Sequence, residues 1–258
     1  MTPLSAYILT FNSEPHLAEI LGKLAGTADE LLVVDSGSTD RTLTIAREHG
    51  CRVVHRPFTD FREQRSFAQA ECVHDMVLFV DSDELPSDEL VEAIASLKAR
   101  GFGEDAYEVR REWYAFGRKV SAVYPVVSPD YPIRILDRRK VSFDERSRRV
   151  HETPFGHSSL GRIEAALHHH TFGSTEELER KLAHYTDIAA AELWERGGNG
   201  GPMKELASPP VAFLLWYFLK GGWRDGALGL RMSRYAFRYT RLKYRKARLF
   251  SEARGGGS

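Results

Sequence analysis

The chain has 258 residues, 42% apolar and 28% charged, an ordinary globular make-up large enough for one large or two modest domains. No apolar run approaches the ~20 residues of a spanning helix, and two cysteines, Cys51 and Cys72, build neither a disulfide framework nor a metal cluster; both read as buried thiols of a reducing compartment. A net charge of zero hides an asymmetry: Lys220 to Arg254 carries eleven Lys or Arg against two acids, so this segment is +9, the residues before it are −9, and one end suits an anionic partner.

The start, Met1 to Ser5, lacks the basic stretch of a signal peptide, so cytosolic residence is expected. Leu4 to Leu9 reads as a first strand, ending in the polar stretch Thr10 to Glu14. Pro15 suits the first turn of a helix with Leu17, Ile20, Leu21 and Leu24 on one face. Leu31 to Val34 is a second buried strand. The small polar turn Asp35 to Asp40 follows, then a helix from Thr42 to His49 ended by Gly50, and a third strand from Cys51 to Val54. The β-α-β-α-β order predicts a parallel sheet with right-handed crossovers. Asp35 at its strand end can accept from a nucleobase N–H or a ribose hydroxyl; alternatively Asp35 or Ser38 caps the next helix.

A helix from Phe61 to about Cys72 comes next. Its Arg65 either projects toward a nucleotide held by this half or stands as a solvated helix arginine. It leads into Val77 to Val80, an apolar strand buried on both faces that runs straight into Asp81-Ser82-Asp83. Ligands of open α/β sheets bind at that end of the strands. Two carboxylates one residue apart there make a hard-oxygen site for Mg²⁺ or Mn²⁺, which favour carboxylates plus substrate phosphates. The plainer reading is a strand end before a helix capped by Ser87, Asp88 and Glu89, which runs to Ala99 and ends at Gly101.

The second half opens with an alternating strand, Ala106 to Arg110. Trp113 to Val127 reads as aromatic and irregular, Ser128 to Pro132 as a turn, and Ile133 to Asp137 as another strand. In Val150 to Pro154, Glu152 is a candidate general base and His151 could orient a substrate or bind phosphate; a loop salt bridge with Arg148 or Arg149 is the rival account. His168, His169 and His170 follow one another on a strand, so at most two share a face; one is a candidate metal ligand and the rival is plain surface histidine. Glu176 to Glu195 is an amphipathic helix, and Gly197 to Pro202 a flexible break. Val211 to Leu219 is apolar, too short to span but long enough to pack or embed. From Leu228 onward Met232, Tyr235, Tyr239 and Leu242 form an apolar stripe beside Arg231, Arg234, Arg238, Arg241, Arg245 and Arg248. That is the pattern of an interfacial helix at anionic lipid; nucleic acid and simple packing on the domain are the alternatives. Gly255 to Ser258 reads as an appended linker.

These pieces together carry a resemblance: the stretches from Leu9 to Glu14, Val33 to Asp40, Arg62 to Ala68, Phe79 to Glu84, Pro129 to Leu136, Val150 to Glu152 and Leu219 to Gly226. In this order they resemble family 2 inverting glycosyltransferases of the GT-A fold, closest to the branch of lipopolysaccharide inner-core β-1,4-glucosyltransferases. The resemblance implies an α/β, Rossmann-like mixed sheet flanked by helices with a basic helical extension. Residues 1–172 would be the catalytic domain, with a nucleotide-sugar half at 1–100 and an acceptor half at 101–172. Residues 173–254 would be a helical region that meets membrane or acceptor. Thr10, Asn12, Glu14, Asp35 and Arg65 would line the nucleoside, joined by Asp81, Ser82 and Asp83 of the Asp-x-Asp. Asp83 and Asp81 would hold a Mg²⁺ or Mn²⁺ ion, with His169 an extra ligand. Glu152 would be the base, Asp130 is the second candidate, and the role of His151 stays open because His151-Glu152 stands where most relatives have Glu-Asp.

The expected activity is then transfer of glucose or another hexose from a UDP-sugar to a lipopolysaccharide core or other lipid-linked or cell-surface glycan, by a protein peripheral to the inner face of the cytoplasmic membrane and touching it through residues 211–254. No nucleic-acid partner is expected, and oligomeric state stays open. A sugar nucleotidyltransferase would want a glycine-rich basic loop after the first strand, and Thr10 to Glu14 holds no glycine. A non-catalytic membrane adaptor would have no need of Asp81, Asp83 and Glu152 together.

Overall fold

In a computed structural model the described residues are 1–144, 153–198 and 200–255, with side chains described as far as residue 250. The elements in order are β1 (Leu4–Thr10), α1 (Glu14–Leu24), β2 (Glu30–Asp35), α2 (Thr42–Glu48), β3 (Arg52–His55), α3 (Phe61–Glu71), β4 (Met76–Asp81), β5 (Glu84–Pro86) and α4 (Asp88–Arg100). They continue with β6 (Ala106–Ala115), β7 (Arg118–Lys119), β8 (Ala122–Val123), β9 (Val126–Val127), β10 (Ile133–Asp137), β11 (Leu160–Phe172), α5 (Thr175–Glu195), α6 (Pro202–Leu214) and α7 (Ala227–Gly255). A π-helical turn (Leu215–Leu219) and a 3₁₀ turn (Gly222–Asp225) join α6 to α7. The chain divides into two units, Met1–Arg111 with Tyr131–His169, and Glu112–Asp130 with His170–Ser258.

The first unit holds a mixed sheet in the order β3-β2-β1-β4-β10-β6-β11-β5. The first four strands are parallel, as the β-α-β-α-β reading requires; β10 pairs antiparallel with both β4 and β6. β1 and β4 have almost every residue buried, because helices cover both faces of a parallel sheet. One face packs Ile8, Val33 and Val80 with Leu17, Ile20, Leu21 and Leu24 of α1 and Leu90, Ile94 and Leu97 of α4. The other packs Tyr7, Val34 and Phe79 with Ala68 of α3 and with Cys72, which caps that helix. Burial pushes the Cys72 thiol up to about 12 and the Cys51 thiol to about 11, so both stay protonated at neutral pH. This half is the GT-A architecture, a Rossmann-like mixed sheet flanked by helices, and a basic C-terminal helix completes the chain.

The second unit is built on α5 and α7. Ser174 caps α5 by accepting from the Glu177 N–H at 3.1 Å. The segment expected to be irregular contains β7, β8 and β9, two-residue strands too short to show alternation in sequence. The core joins Trp113, Val120, Val123, Phe172, Leu178 and Leu182 to Leu228, Met232 and Tyr235 of α7. The stripe read as a lipid-facing surface is therefore buried within this unit, with Tyr239 and Leu242 packed at its margin. Sequence periodicity reports that a face is apolar, not what covers it. Met232 is 1% exposed, so Met232→Ala is expected to cost about 2–5 kcal/mol. Exposed Arg234→Ala should stay within about 0.5 kcal/mol. Urea unfolding monitored by tryptophan fluorescence checks both.

Among the described residues, no helix is long and apolar enough to cross a membrane.

Candidate active site

The parallel register brings three strand ends to one edge: Thr10 lies beside Asp35, and Leu9 beside Asp81. The loops leaving those strands are laced together. The Thr10 hydroxyl donates to Asp35 Oδ1 at 2.9 Å, and Ser38 Oγ donates to the same oxygen at 2.5 Å. Asp35 Oδ2 accepts from the Gly37 and Ser38 N–H groups at 2.8 and 2.9 Å. Burial pushes this carboxyl up, but the Ser38 hydroxyl and N–H, the Gly37 N–H and the Thr10 hydroxyl together bring it below its ordinary 3.8. Asp35 is 1% exposed and ionised, and it fixes the turn after β2. Neither it nor Ser38 caps α2, whose N-cap is Arg41.

Asn12 takes a left-handed φ of +50°, which its short amide side chain tolerates. Its N–H donates to Ser38 Oγ and its Oδ1 accepts from the Thr39 N–H, both at 2.8 Å. The Glu14 N–H reaches Asp40 Oδ2 at 3.2 Å, while Glu14 Oε2 accepts from the Arg41 N–H at 3.3 Å. Ser13 donates to Ser82 Oγ at 2.9 Å, tying the loop after β1 to the Asp-x-Asp turn. The predicted residues Thr10, Asn12, Glu14, Asp35, Asp81, Ser82 and Asp83 thus share one edge of the sheet.

Behind that edge lies a charge cluster. Arg65 projects from α3, 4% exposed rather than solvated, and its Nη2 meets Asp81 Oδ1 at 2.6 Å. Arg134, on β10, reaches Asp81 Oδ2 with Nη2 at 3.1 Å. Both guanidiniums stand 5.0 Å from the ring centroid of Phe79 on β4, a cation–π floor two residues before Asp81. Arg134 also grips Glu84 through Nε at 2.9 Å and Nη2 at 2.6 Å; Arg111 Nη1 approaches Glu84 at 2.8 Å. The Asp81 N–H donates to Glu84 Oε2 at 3.1 Å. Glu84 is fully buried. Burial alone would raise its carboxyl, yet the Arg134 charge, the His169 hydrogen bond and the Arg111 charge hold it well below its ordinary 4.5.

Sequence reasoning assigned no role to Glu84, Arg111 or Arg134. The available signal was a third acid one residue past the Asp-x-Asp in an apolar context, which needs a buried cation.

The β5–β11 register sets His169 opposite Glu84. Strand alternation therefore selects His169 from the three histidines. Its Nδ1 lies 3.4 Å from Glu84 Oε1 and 3.6 Å from Asp83 Oδ1. His170 instead stacks on Tyr114 with ring centroids 5.2 Å apart. Among the described residues no three His, Cys, Asp or Glu side chains gather into a protein-only cation site. The donor chemistry near the edge is one partly exposed carboxylate, Asp83, and one imidazole, while both Asp81 oxygens are engaged by arginine. That set suits a Mg²⁺ or Mn²⁺ ion that fills its other positions with water and phosphate oxygen. Asp130 belongs to the second unit, where Oδ1 accepts from Trp113 Nε1 at 2.7 Å. Glu152 and His151 lie outside the described residues.

A Rossmann-like parallel half, antiparallel strands after it and an Asp-x-Asp at the carboxyl edge define a GT-A protein. Residues 5–105 match the family described as Glycosyl transferase family 2. Six of the chain's relatives bear glycosyltransferase names. The lipopolysaccharide core biosynthesis glycosyltransferase LpsC of Rhizobium meliloti is 29% identical over 234 residues, 88% of this chain and 85% of that protein. An uncharacterized glycosyltransferase of Rickettsia typhi is 28% identical over 230 residues, 85% of this chain and 76% of that protein. Among solved structures, Staphylococcus aureus TarS 1–349 with UDP-GlcNAc covers 100% of this chain and 93% of its own at 16% identity and TM-score 0.51. Mycobacterium tuberculosis glucosyl-3-phosphoglycerate synthase with Mn²⁺, UDP and glucosyl-3-phosphoglycerate covers 76% of this chain and 81% of its own, at 19% identity and TM-score 0.50. These two share the fold.

Proposed function

We propose that the chain is an inverting glycosyltransferase that moves a hexose from a UDP-sugar to a lipopolysaccharide core or another lipid-linked or cell-surface glycan. The reading is carried by one observation: the Asp81 to Glu84 turn, braced from behind by Arg65, Arg111 and Arg134, lies at the same sheet edge as the loops after β1 and β2. A UDP-linked donor is supported by the UDP and UDP-GlcNAc held by the two fold neighbours, and a lipopolysaccharide-type acceptor by the name of the Rhizobium relative.

Thr10, Asn12, Glu14, Asp35 and Arg65 form the nucleoside side of the site, and Asp81 and Ser82 its floor. Asp83 and His169 would hold a divalent cation, while Asp81, also read as a ligand, has both oxygens turned to Arg65 and Arg134. Glu84, 3.4 Å from His169 Nδ1, would orient the imidazole beside Asp83, as a carboxylate next to a ligating histidine commonly does. Such a cation, when bound, neutralises the charge gathering on the leaving diphosphate. Glu152, assigned from the sequence, takes the proton of the attacking acceptor hydroxyl, with Asp130 as the second candidate. The hydroxyl attacks the anomeric carbon opposite the diphosphate, so the configuration inverts. His151 stands beside the base without a fixed role. The two-domain partition at residue 172, a cytoplasmic location at the inner membrane face and a membrane contact within 211–254 complete the proposal.

Thermal unfolding in the presence of UDP-sugars with Mn²⁺ tests it, followed by turnover with the best binder. Saturation at a hundredfold over Kd stabilises by about 2.7 kcal/mol, a rise of several degrees. Absence of any shift and of any turnover across the UDP-sugars removes the reading.

A further inference from the structure

α6 carries an apolar ridge that is left exposed among the described residues. Met203, Leu206, Val211, Leu214, Phe218 and Leu219 are between 52% and 82% exposed. From Met203 to Phe218 they recur every three to five residues, with exposed Pro210 filling the gap and Leu219 following directly, so the ridge runs along one side of the α6 and π-helical stretch. The opposite side is used internally: Pro209 is buried, and Trp216 packs with Ala122 and Ala236 and edges onto Tyr124 at 5.4 Å. Scattered surface leucines are ordinary, but a continuous apolar ridge marks an interaction surface.

The charges beside the ridge are sorted by sign. Between Pro202 and Asp225 the cations Lys204, Lys220 and Arg224 are all exposed. The two acids of this stretch are turned to internal partners. Glu205 accepts from Arg248 Nε at 3.1 Å, and Asp225 accepts from the Ser121 N–H and hydroxyl at 2.7 and 2.8 Å. Trp223, 54% exposed, closes the ridge with the Arg224 guanidinium 5.5 Å from its ring. An apolar ridge flanked by cations and ended by an exposed tryptophan is complementary to an anionic bilayer surface. The 13 residues of α6 extend about 20 Å, short of the hydrocarbon thickness, so the helix would lie in the interface plane.

We propose that the ridge from Met203 to Trp223, rather than the buried stripe of α7, seats the protein on an anionic phospholipid bilayer. This deepens the membrane contact proposed above and rests on that reading only in tying the surface to a lipid-borne acceptor. The close approach of Gly222 and Gly229 sets the turn at the ridge's end, since a Cβ on Gly229 would collide with the Gly222 carbonyl oxygen.

Co-sedimentation of the whole chain with phosphatidylcholine vesicles, with and without phosphatidylglycerol, tests it. The chain should bind the anionic vesicles, with salt weakening the binding and each of the three cations contributing about fivefold. Leu206→Glu with Leu219→Glu, both at solvent-exposed positions, should lower binding about tenfold or more while thermal unfolding stays unchanged. Arg241→Ser with Arg245→Ser on α7 should keep most of it. Failure of the wild type to bind any vesicle overturns the proposal. So does retention of binding by the leucine variant with loss in the arginine variant, or a dimer that the leucine variant alone dissolves. Calorimetric UDP binding of the same proteins is a separate readout: its absence sinks the transferase reading and leaves the ridge untouched.

Discussion

Glu84→Gln is expected to lower the stability of the first unit by about 3–5 kcal/mol, because it removes the fully buried carboxylate shared by the buried guanidinium of Arg134 and the partly buried one of Arg111. That is a large part of the 5–15 kcal/mol by which domains are typically stable. Asp81 still faces Arg134 at 3.1 Å but also carries Arg65, so one carboxylate would serve two cations. Urea unfolding gives the loss directly. The pH dependence has a definite sign. Glu84 is depressed below 4.5 in the folded state, so the stabilisation from its ionised form is complete above about pH 5.5 and is lost as pH falls below about 4.5 through the folded value. The gap between wild type and Glu84→Gln should therefore narrow on acidification over that range. A gap that is constant with pH would mean the carboxylate is not the counter-ion of these arginines.

Asp83→Asn and Glu152→Gln are expected to remove most activity while sparing the fold. Asp83 is partly exposed on a turn, so its loss should leave thermal unfolding close to wild type. If its carboxylate holds the cation, kcat should fall about 10²–10³-fold and the Mn²⁺ concentration for half-activation should rise. His169→Ala should shift that concentration in the same direction by less. Glu152→Gln should lower kcat by about 10²–10⁴-fold with Mn²⁺ dependence unchanged, the signature of a lost proton acceptor rather than a lost ligand. Asp130→Asn is the decisive companion, because Asp130 accepts from Trp113 in the second unit. If Asp130→Asn costs the larger factor, the base is Asp130 and the Glu152 assignment falls.

Much of the first unit was legible as sequence. Strands buried on both faces read as short apolar runs, each ending at a polar loop, and that pattern alone places Thr10, Asp35 and Asp81 at one edge, where the parallel register puts them. The Asp-x-Asp was visible for the same reason: two carboxylates directly after four apolar residues are out of place unless something needs them. The short strands β7 to β9 fell below the length at which alternation shows.

What local sequence determines here is which segments are strand or helix and which face of each is apolar, because propensity and periodicity act over a few residues. Only tertiary structure decided which of three adjacent histidines faces Glu84, that three arginines from distant segments converge on Asp81 and Glu84, and that the apolar stripe of α7 lies inside while the ridge of α6 lies outside. Those outcomes rest on the register between strands far apart in the chain and on which surfaces meet, and neither is encoded in the spacing along any one element.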